Sequence, residues 1–552
     1  MPVQSALDSA ALESAVLDRA VLSRVVAAEA ERDAGRRVYV FENGDLPAEP
    51  VTAGDLAVHG NQVAHLLRAR GLARGDRVAI MMRNHPEFVY GYVATAKLGT
   101  PAVPIDPRAR GEKLAYFLGF SEASLLLVAD YVVADDAVAR TIRSTGVPAV
   151  VLSTAEGRAA GLDVSGWPGL NEVLDGPELP DVGEGVTDPS TPSLLGFTSG
   201  TTGDPKAIEF GHDRMLLYRR LPPMFGLRED DVCYTGLSLT HGNAMIVTMM
   251  PPLWRSVRSS VFSRWFTASR LWDVCRAHGA TVWSNLGGIA TALYSRPPRP
   301  DDHDNPVRLV LSAGMPRELW HPFRARFGVE ICEWYGTMEG GFAYNPALAA
   351  GGNAGPAGSF GKPPPELLEM DVLDAEDRSV GPGEQGELVC RPVGGEARLT
   401  YFQNPEASAR KVRDGWLRTG DMVTRDAGGW LFFDHRTEEG GLRRLGEFIS
   451  ESFIRRVLAE HEDVLDVHIY GVPARSGAPG ETDVVAAVVP RDPGSVDVAG
   501  LFALAERDLE RSHVPDYIHL VAELPRTASE KVQTRHLLDA FDPHAPYFHG
   551  RK

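Results

Sequence analysis

Thr198-Ser-Gly-Thr-Thr-Gly-Asp-Pro-Lys206 follows directly on the short apolar run Leu194 to Phe197. Hydroxyl residues separated by glycines and closed by a lysine describe a loop whose N–H groups and hydroxyls can wrap phosphate oxygens while the ammonium adds charge. The stretch departs from the Walker pattern G-x-x-x-x-G-K-[ST], because Pro205 precedes the lysine and Ala207 follows it. A P-loop ATPase or kinase is therefore disfavoured. Nor does Ser199 sit in a G-x-S-x-G elbow, which argues against an α/β-hydrolase.

Around the loop, apolar runs alternate with helical stretches. Arg77-Val-Ala-Ile-Met-Met82, Pro101-Ala-Val-Pro-Ile105 and Ser124-Leu-Leu-Leu-Val-Ala129 read as buried strands, with Glu87 to Leu98 a helix between the first two. That alternation predicts βαβ units and a largely parallel sheet. Trp167 to Pro192 reads as loop; the pattern then resumes with strands over Cys233 to Leu239, Ala280 to Asn285 and Val307 to Ser312, and helices over Ser269 to His278 and Arg317 to Phe327. Near Met370 the texture turns to short strands (369–373, 387–391, 430–433), with the punctuated loop Gly415-Trp-Leu-Arg-Thr-Gly-Asp421 among them. After the Gly-rich joint Thr437-Glu-Glu-Gly-Gly441 come a helix (452–460), two strands (464–470, 483–489) and a helix (498–512). The expected fold class is α/β: a large N-terminal domain, 1–439, of layered α/β subdomains plus a small β unit, then a small α+β C-terminal domain, 440–552.

With 552 residues, 43% hydrophobic and 24% charged, the composition is that of a globular protein, neither collagen-like nor wholly disordered. A formal charge of −18 with no basic cluster argues against nucleic-acid and anionic-lipid partners. Cys233, Cys275, Cys332 and Cys390 stand singly, which fits a reducing cytoplasm and excludes a zinc site built from thiolates. Residues 5–32 read as an amphipathic helix, not a signal peptide, and no apolar run reaches transmembrane length. A cytoplasmic location is expected. Gly381-Pro-Gly-Glu-Gln-Gly386 satisfies G-x-G-x-x-G but lies between two short strands, so it reads as a turn. His278, His303, His544 and His549 have no metal-ligand spacing.

Thr198 to Lys206 resembles the signature loop of adenylate-forming enzymes, the superfamily of acyl-CoA synthetases, nonribosomal-peptide adenylation domains and luciferases. The resemblance continues in order through Leu237-Ser-Leu-Thr-His241, Ser312-Ala-Gly-Met-Pro316, Glu333-Trp-Tyr-Gly-Thr-Met-Glu339, Gly415 to Asp421, Gly446-Glu-Phe-Ile-Ser450 and Leu524-Pro-Arg-Thr-Ala-Ser-Glu-Lys531. Within the superfamily the phrasing is similar to CoA ligases of the carnitine, fatty-acid and aryl-acid type. The resemblance implies a mobile C-terminal domain, ATP and Mg²⁺, and CoA as co-substrate. It implies that Thr198, Ser199, Gly200, Thr201, Thr202, Gly203 and Lys206 cradle the ATP phosphates and that Glu339 binds Mg²⁺, a hard cation suited to carboxylate and phosphate oxygens. Asp421 would accept the ribose hydroxyls with Arg436 beside it, and Tyr335, Gly336 and Thr337 would meet the nucleotide. His241 would stand between acid and phosphate, and Lys531 would swing in to offset transition-state charge.

The acid pocket implied by the resemblance spans Thr240 to Asn243, Leu286 to Ile289, Ala313 to Met315 and Trp334 to Gly340; Trp283, Trp334 and Met338 would lend it aromatic and apolar character, and core packing explains these three residues equally well. Four departures from the family pattern stand out. Met338 replaces a hydroxyl, Glu530 a glycine, and Phe448 a small or polar residue near the pantetheine path. The hinge, Asp434 to Arg444, is about two residues longer than the family pattern, so Arg436 lies within one position of the ribose-binding arginine, and counting back from Gly446 puts the hinge point at Glu439 or Gly440. The expected function is an ATP-dependent ligase that converts a fatty or aryl acid to acyl-AMP and transfers it to CoA. Its rivals are a diazotase of secondary metabolism, adenylating nitrite for attack by an aryl amine, an amide-forming variant, and a non-catalytic ligand-binding relative.

Overall fold

The computed structural model describes residues 15–198, 205–347, 355–436, 442–444, 447–475, 481–492, 496–525 and 532–551. The α1 helix (Gly111–Phe120) belongs to the first α/β layer. There the strands Arg77–Met81, Ala102–Pro104 and Ala123–Ala129 pair in parallel within a residue of the expected bounds, and Ala149–Leu152, which the sequence reading had not assigned, joins them in parallel. An antiparallel hairpin, β1 (Pro192–Thr198) and β2 (Lys206–Gly211), extends this sheet at one edge, so the phosphate-loop sequence is the tip of an edge hairpin.

A second sheet, of eight strands, is parallel from Glu330–Gly336 through to Arg37–Asn43 and carries an antiparallel strand at each edge. Three of its neighbours matter most: β3 (Val282–Leu286), β4 (Leu309–Ala313) and β5 (Glu330–Gly336). The helix Pro86–Leu98 is buried almost all round, as a helix apolar on every face must be. It packs in one cluster with Ile80 and Leu127 of the first sheet and Phe41 and Phe262 of the second, joining the two layers. Among the described residues no helix is long and apolar enough to cross a membrane.

The small β unit holds the main departure from expectation. Gly415 to Asp421 reads as a loop, yet Trp416–Arg425 is a ten-residue strand, β6. It pairs with Gln385–Pro392 on one side and with β7 (Leu431–Arg436) on the other. Pairing on both sides overrides the turn-like Thr-Gly-Asp sequence; Gly420 supplies a φ of +79° there. At the N-terminus the expected continuous helix is interrupted at Val21, and Leu22–Asp33 continues it.

Beyond residue 441 a two-stranded hairpin, β8 (Leu442–Arg444) and β9 (Glu447–Ile449), leads to α2 (Glu451–Ala459) and a separate four-stranded sheet. The molecule is thus a large N-terminal domain and a small C-terminal one, both mixed α/β. The helix expected to run to Ser512 ends at Asp508, where Leu509 turns extended with ψ 155°.

The second sheet's strand ends converge because two glycines allow it. A Cβ on Gly287, just past β3, would lie 1.7 Å from the Gly314 carbonyl oxygen, just past β4. Gly287→Ala must push these loops apart, and overpacking of this kind costs about 1–3 kcal/mol. Thermal unfolding of that variant is expected several degrees below the unmutated protein; an unchanged midpoint would contradict the close approach.

Candidate functional site

Lys206 opens β2 opposite Thr198, the last residue of β1, and the Thr198 hydroxyl donates to the Lys206 carbonyl at 3.3 Å. The Lys206 ammonium stands 5.2 Å from the centre of the Tyr401 ring, and the Tyr401 hydroxyl donates to Glu339 Oε1 at 3.2 Å. One tyrosine therefore ties the loop lysine to the carboxylate expected to bind Mg²⁺. Tyr401 carries no motif and was invisible in sequence. Ser199, Gly200, Thr201, Thr202, Gly203 and Lys531 lie outside the described residues, as do Glu530 and the hinge positions Glu439 and Gly440.

Met338 packs beside the edge hairpin, the core-packing role that the sequence allowed equally with a place in the acid pocket. Its methyl group lies flush on Gly196 of β1, where a Cβ would come within 2.1 Å, and it packs with Ile208, Phe210 and Tyr401. Arg214 fixes the same turn by donating to the Met338 carbonyl at 3.2 Å. Thr337 is equally occupied: its hydroxyl donates to the Gly340 carbonyl and accepts the Gly340 N–H, closing the turn that Gly336 begins.

A second group forms where β5 meets the small β unit. The Tyr335 hydroxyl donates to Asp421 Oδ2 at 2.5 Å, and Asp421 is only 1% exposed. The Thr419 hydroxyl receives the Asp421 N–H at 3.1 Å, and Arg436 on β7 is the direct strand partner of Asp421. The Tyr335 ring packs 4.8 Å from Phe360. A buried carboxylate at a cleft wall is an acceptor pair matched to a vicinal diol.

The third group lies at the carboxyl ends of the parallel strands, where open α/β sheets bind ligands. Strand parity sorts its residues. Trp283, Val310 and Ile331 share one face, and Trp283, 1% exposed, packs against Trp272 and Phe323 beneath the helices. It is a core residue, the packing role that the sequence had left open beside the acid pocket. Trp334 faces the other side, with ring neighbours Phe225 and Phe342 at 5.8 and 6.4 Å. On that face Ser284 donates to Asn243 Oδ1 at 2.5 Å, and Asn243 opens the π-helical segment Ala244–Met249.

The Asn243 N–H donates to His241 Nδ1 at 3.2 Å, which leaves the ring proton of neutral His241 on Nε2. His241 is an exposed residue beside this face. Desolvation, then the charge of Arg443, pulls its pKa down to about 4, so it is neutral at pH 7. Glu333, buried on β5, accepts the N–H groups of Gly314 and Met315 and clamps the loop after β4. Burial pushes its pKa up to about 8 against the pull of those N–H groups and of Arg443. Glu333 stood in the motif but had drawn no role.

The sequence of residues 26–395 matches the family model "AMP-binding enzyme", and 455–531 matches "AMP-binding enzyme C-terminal domain". A medium/long-chain-fatty-acid–CoA ligase, FadD17 of Mycobacterium marinum, is 32% identical over 88% of this chain and 91% of its own. The o-succinylbenzoate CoA synthetase of Bacillus subtilis superposes with a TM-score of 0.75 at 21% identity, covering 93% of this chain and 98% of that one. The amide bond synthetase McbA of Marinactinospora thermotolerans does so at 0.74 and 23%, covering 94% and 99%. The chain belongs to the AMP-binding enzyme family and is an enzyme of the acyl-CoA synthetase type. These relatives lend no support to the nitrite reading.

Two expectations follow. Asp421→Asn keeps the shape but removes the charge that strengthens hydrogen bonds to a diol, an effect of about 1.5–3 kcal/mol. Calorimetry should find ATP binding weakened at least about tenfold, and unchanged affinity would remove Asp421 from the nucleotide site. For Glu333, the folded pKa lies above the ordinary value of 4.5, so the native state binds the extra proton between roughly pH 4.5 and 8. Its stabilising contribution is complete below that window and is lost as pH rises through it. Glu333→Gln, which never ionises, should gain in melting temperature over the unmutated protein from pH 5 to pH 9; a constant difference would show that Glu333 does not titrate there.

Proposed function

We propose that this enzyme is an ATP-dependent ligase that joins a compact carboxylic acid to CoA through an acyl-adenylate, with the domains meeting at residues 439 and 440. The observation that carries the reading is the Tyr401 bridge between Lys206 and Glu339. A cation and a carboxylate beside a glycine-rich loop suit a triphosphate with its divalent ion. Mg²⁺ fits that donor set, with Glu339 holding it and phosphate oxygens completing its shell, and it would supply charge neutralisation on the phosphates.

In the first step Thr198, Ser199, Thr201, Thr202 and Lys206 hold the phosphates, and Asp421 with Arg436 holds the ribose. Tyr335, Gly336 and Thr337 line the base. The acid's carboxylate oxygen attacks the α-phosphorus, the bond to the β-phosphate oxygen breaks, and pyrophosphate leaves. Lys531 offsets the charge that develops at the α-phosphate. Neutral His241 orients the carboxylate as a hydrogen-bond donor without binding it as an ion pair. In the second step the CoA sulfur, its proton released to solvent, attacks the carbonyl carbon and AMP departs. Trp334 backed by Phe225 and Phe342 shortens the acid side, which supports an aryl or short-chain acid even though FadD17 is named for longer ones.

Mg-ATP and CoA with a panel of aryl, short and long acids, products identified by mass, is the direct test. AMP and an acyl-CoA in equal amounts, best with compact acids, are expected. Lys531→Ala should lower adenylation about 10²–10³-fold with ATP binding retained. AMP without any thioester, or a preference for long chains, would overturn the reading.

A further inference from the structure

The edge hairpin of β1 and β2 extends the first sheet, whereas His241 follows the strand Val232–Thr235 of the second. On the reading above, phosphates sit on the one and the acid on the other. Attack of a carboxylate on phosphorus needs the two at a fixed separation, and a misplacement of about 1 Å costs about 10²-fold in rate. Asn84 reaches from one layer to the other. It lies in the turn between the strand Arg77–Met81 of the first sheet and the helix Pro86–Leu98.

Asn84 is 1% exposed, and its side-chain amide is fully engaged. Its Nδ2 donates to the Leu237 carbonyl at 2.9 Å and to the Ser263 carbonyl at 2.8 Å, while its Oδ1 accepts the Leu239 N–H at 2.8 Å. Two donors and an acceptor on a short side chain match asparagine; an ionised aspartate brings no donor and a leucine no polar atom. Leu237 and Leu239 flank Ser238, whose carbonyl accepts the His241 N–H at 2.9 Å. The turn is also closed internally, by the Leu237 N–H on Thr235 Oγ1 at 3.1 Å and by the Ser238 and Thr240 hydroxyls at 2.8 Å. Its two leucine side chains are buried in the cluster that joins the layers. That burial holds the turn down but is non-directional. Asn84 supplies the direction.

Asn84 is itself locked from the second sheet. Arg264, its side chain 1% exposed, donates from Nη1 to the Asn84 carbonyl, and the residue before it, Ser263, takes the Asn84 amide. The rest of that guanidinium donates to Asn43 Oδ1 at 3.2 Å and Glu49 Oε2 at 2.7 Å. Backbone and side chain of Asn84 are thus both anchored, so the His241 turn cannot shift without breaking buried hydrogen bonds.

We propose that Asn84 is a positioning residue for adenylation: it holds the His241 turn in register with the edge hairpin, so that the imidazole presents the acid's carboxylate to the α-phosphate. The inference rests on the role given to His241 above. Asn84 is buried and acts through His241, not on substrate.

The test is a double-mutant cycle read by acid-dependent ATP–pyrophosphate exchange. Asn84→Ala should lower the exchange kcat about 10- to 10²-fold and raise KM for the acid, with ATP affinity by calorimetry unchanged. In a His241→Ala background the same substitution should cost little more, because the group it positions is gone; losses that multiply overturn the assignment. Asn84→Asp keeps an acceptor for the Leu239 N–H and should recover part of the rate, and it takes the place of Asn84→Ala in the cycle if that variant does not fold. Failure of both to fold would make Asn84 a residue of the fold alone and overturn the proposal. Val138→Ala, a buried truncation on the helix Asp136–Thr145, controls for lost stability: a lower melting temperature with unchanged kcat and KM is expected. If it reproduces the Asn84→Ala kinetics, the effect is one of stability and the proposal falls. Normal exchange in His241→Ala would remove His241 and Asn84 from the reaction and leave the ligase intact. No exchange with any acid in the unmutated protein would overturn the ligase reading itself, and this proposal with it.

Discussion

There is no room for a methyl group between Gly287 and the Gly314 carbonyl, and the arrangement of the acid side follows from that contact. It lets the loops after β3 and β4 touch, which brings Gly314 and Met315 under the Glu333 carboxyl. It also leaves an open position at Gly314, where any side chain would meet Arg443. Three strands and a hairpin from another domain meet there because two residues have no side chain. Polar groups then replace the missing packing: Glu333 on the loop N–H groups, Ser284 on Asn243, Asn243 on His241.

The charge distribution follows the same logic. The chain carries a formal charge of −18, yet its site must accept a triphosphate, a carboxylate and CoA, all anions. Long-range attraction cannot gather them, so local cations have to. Lys206 and Arg214 border the edge hairpin, and the Arg443 guanidinium lies beside Gly314. The acid side is also kept from adding negative charge of its own, because burial holds the Glu333 carboxyl protonated near neutral pH. Desolvation by neighbouring protein, with the Arg443 charge, lowers the His241 pKa to about 4, so it can donate a hydrogen bond to a carboxylate without holding it as a salt bridge. A site built to release its acid to a thiol gains from that weaker grip.

Much of this was legible in the chain. The buried strands that could be read in both parallel sheets are apolar runs bounded by turns, and they form within two residues of where they read, except Cys233 to Leu239, whose strand Val232–Thr235 stops four residues early. Glycine-spaced hydroxyls before Lys206 needed no structure to suggest phosphate. Legibility failed where only long-range pairing decides. Gly415 to Asp421 has the residues of a turn, and becomes a strand because two partners flank it. Trp283 and Trp334 read alike, and only the register of β3 to β5 puts them on opposite faces of the sheet, in different clusters. Tyr401 lies outside every motif and reaches Glu339 through the fold alone.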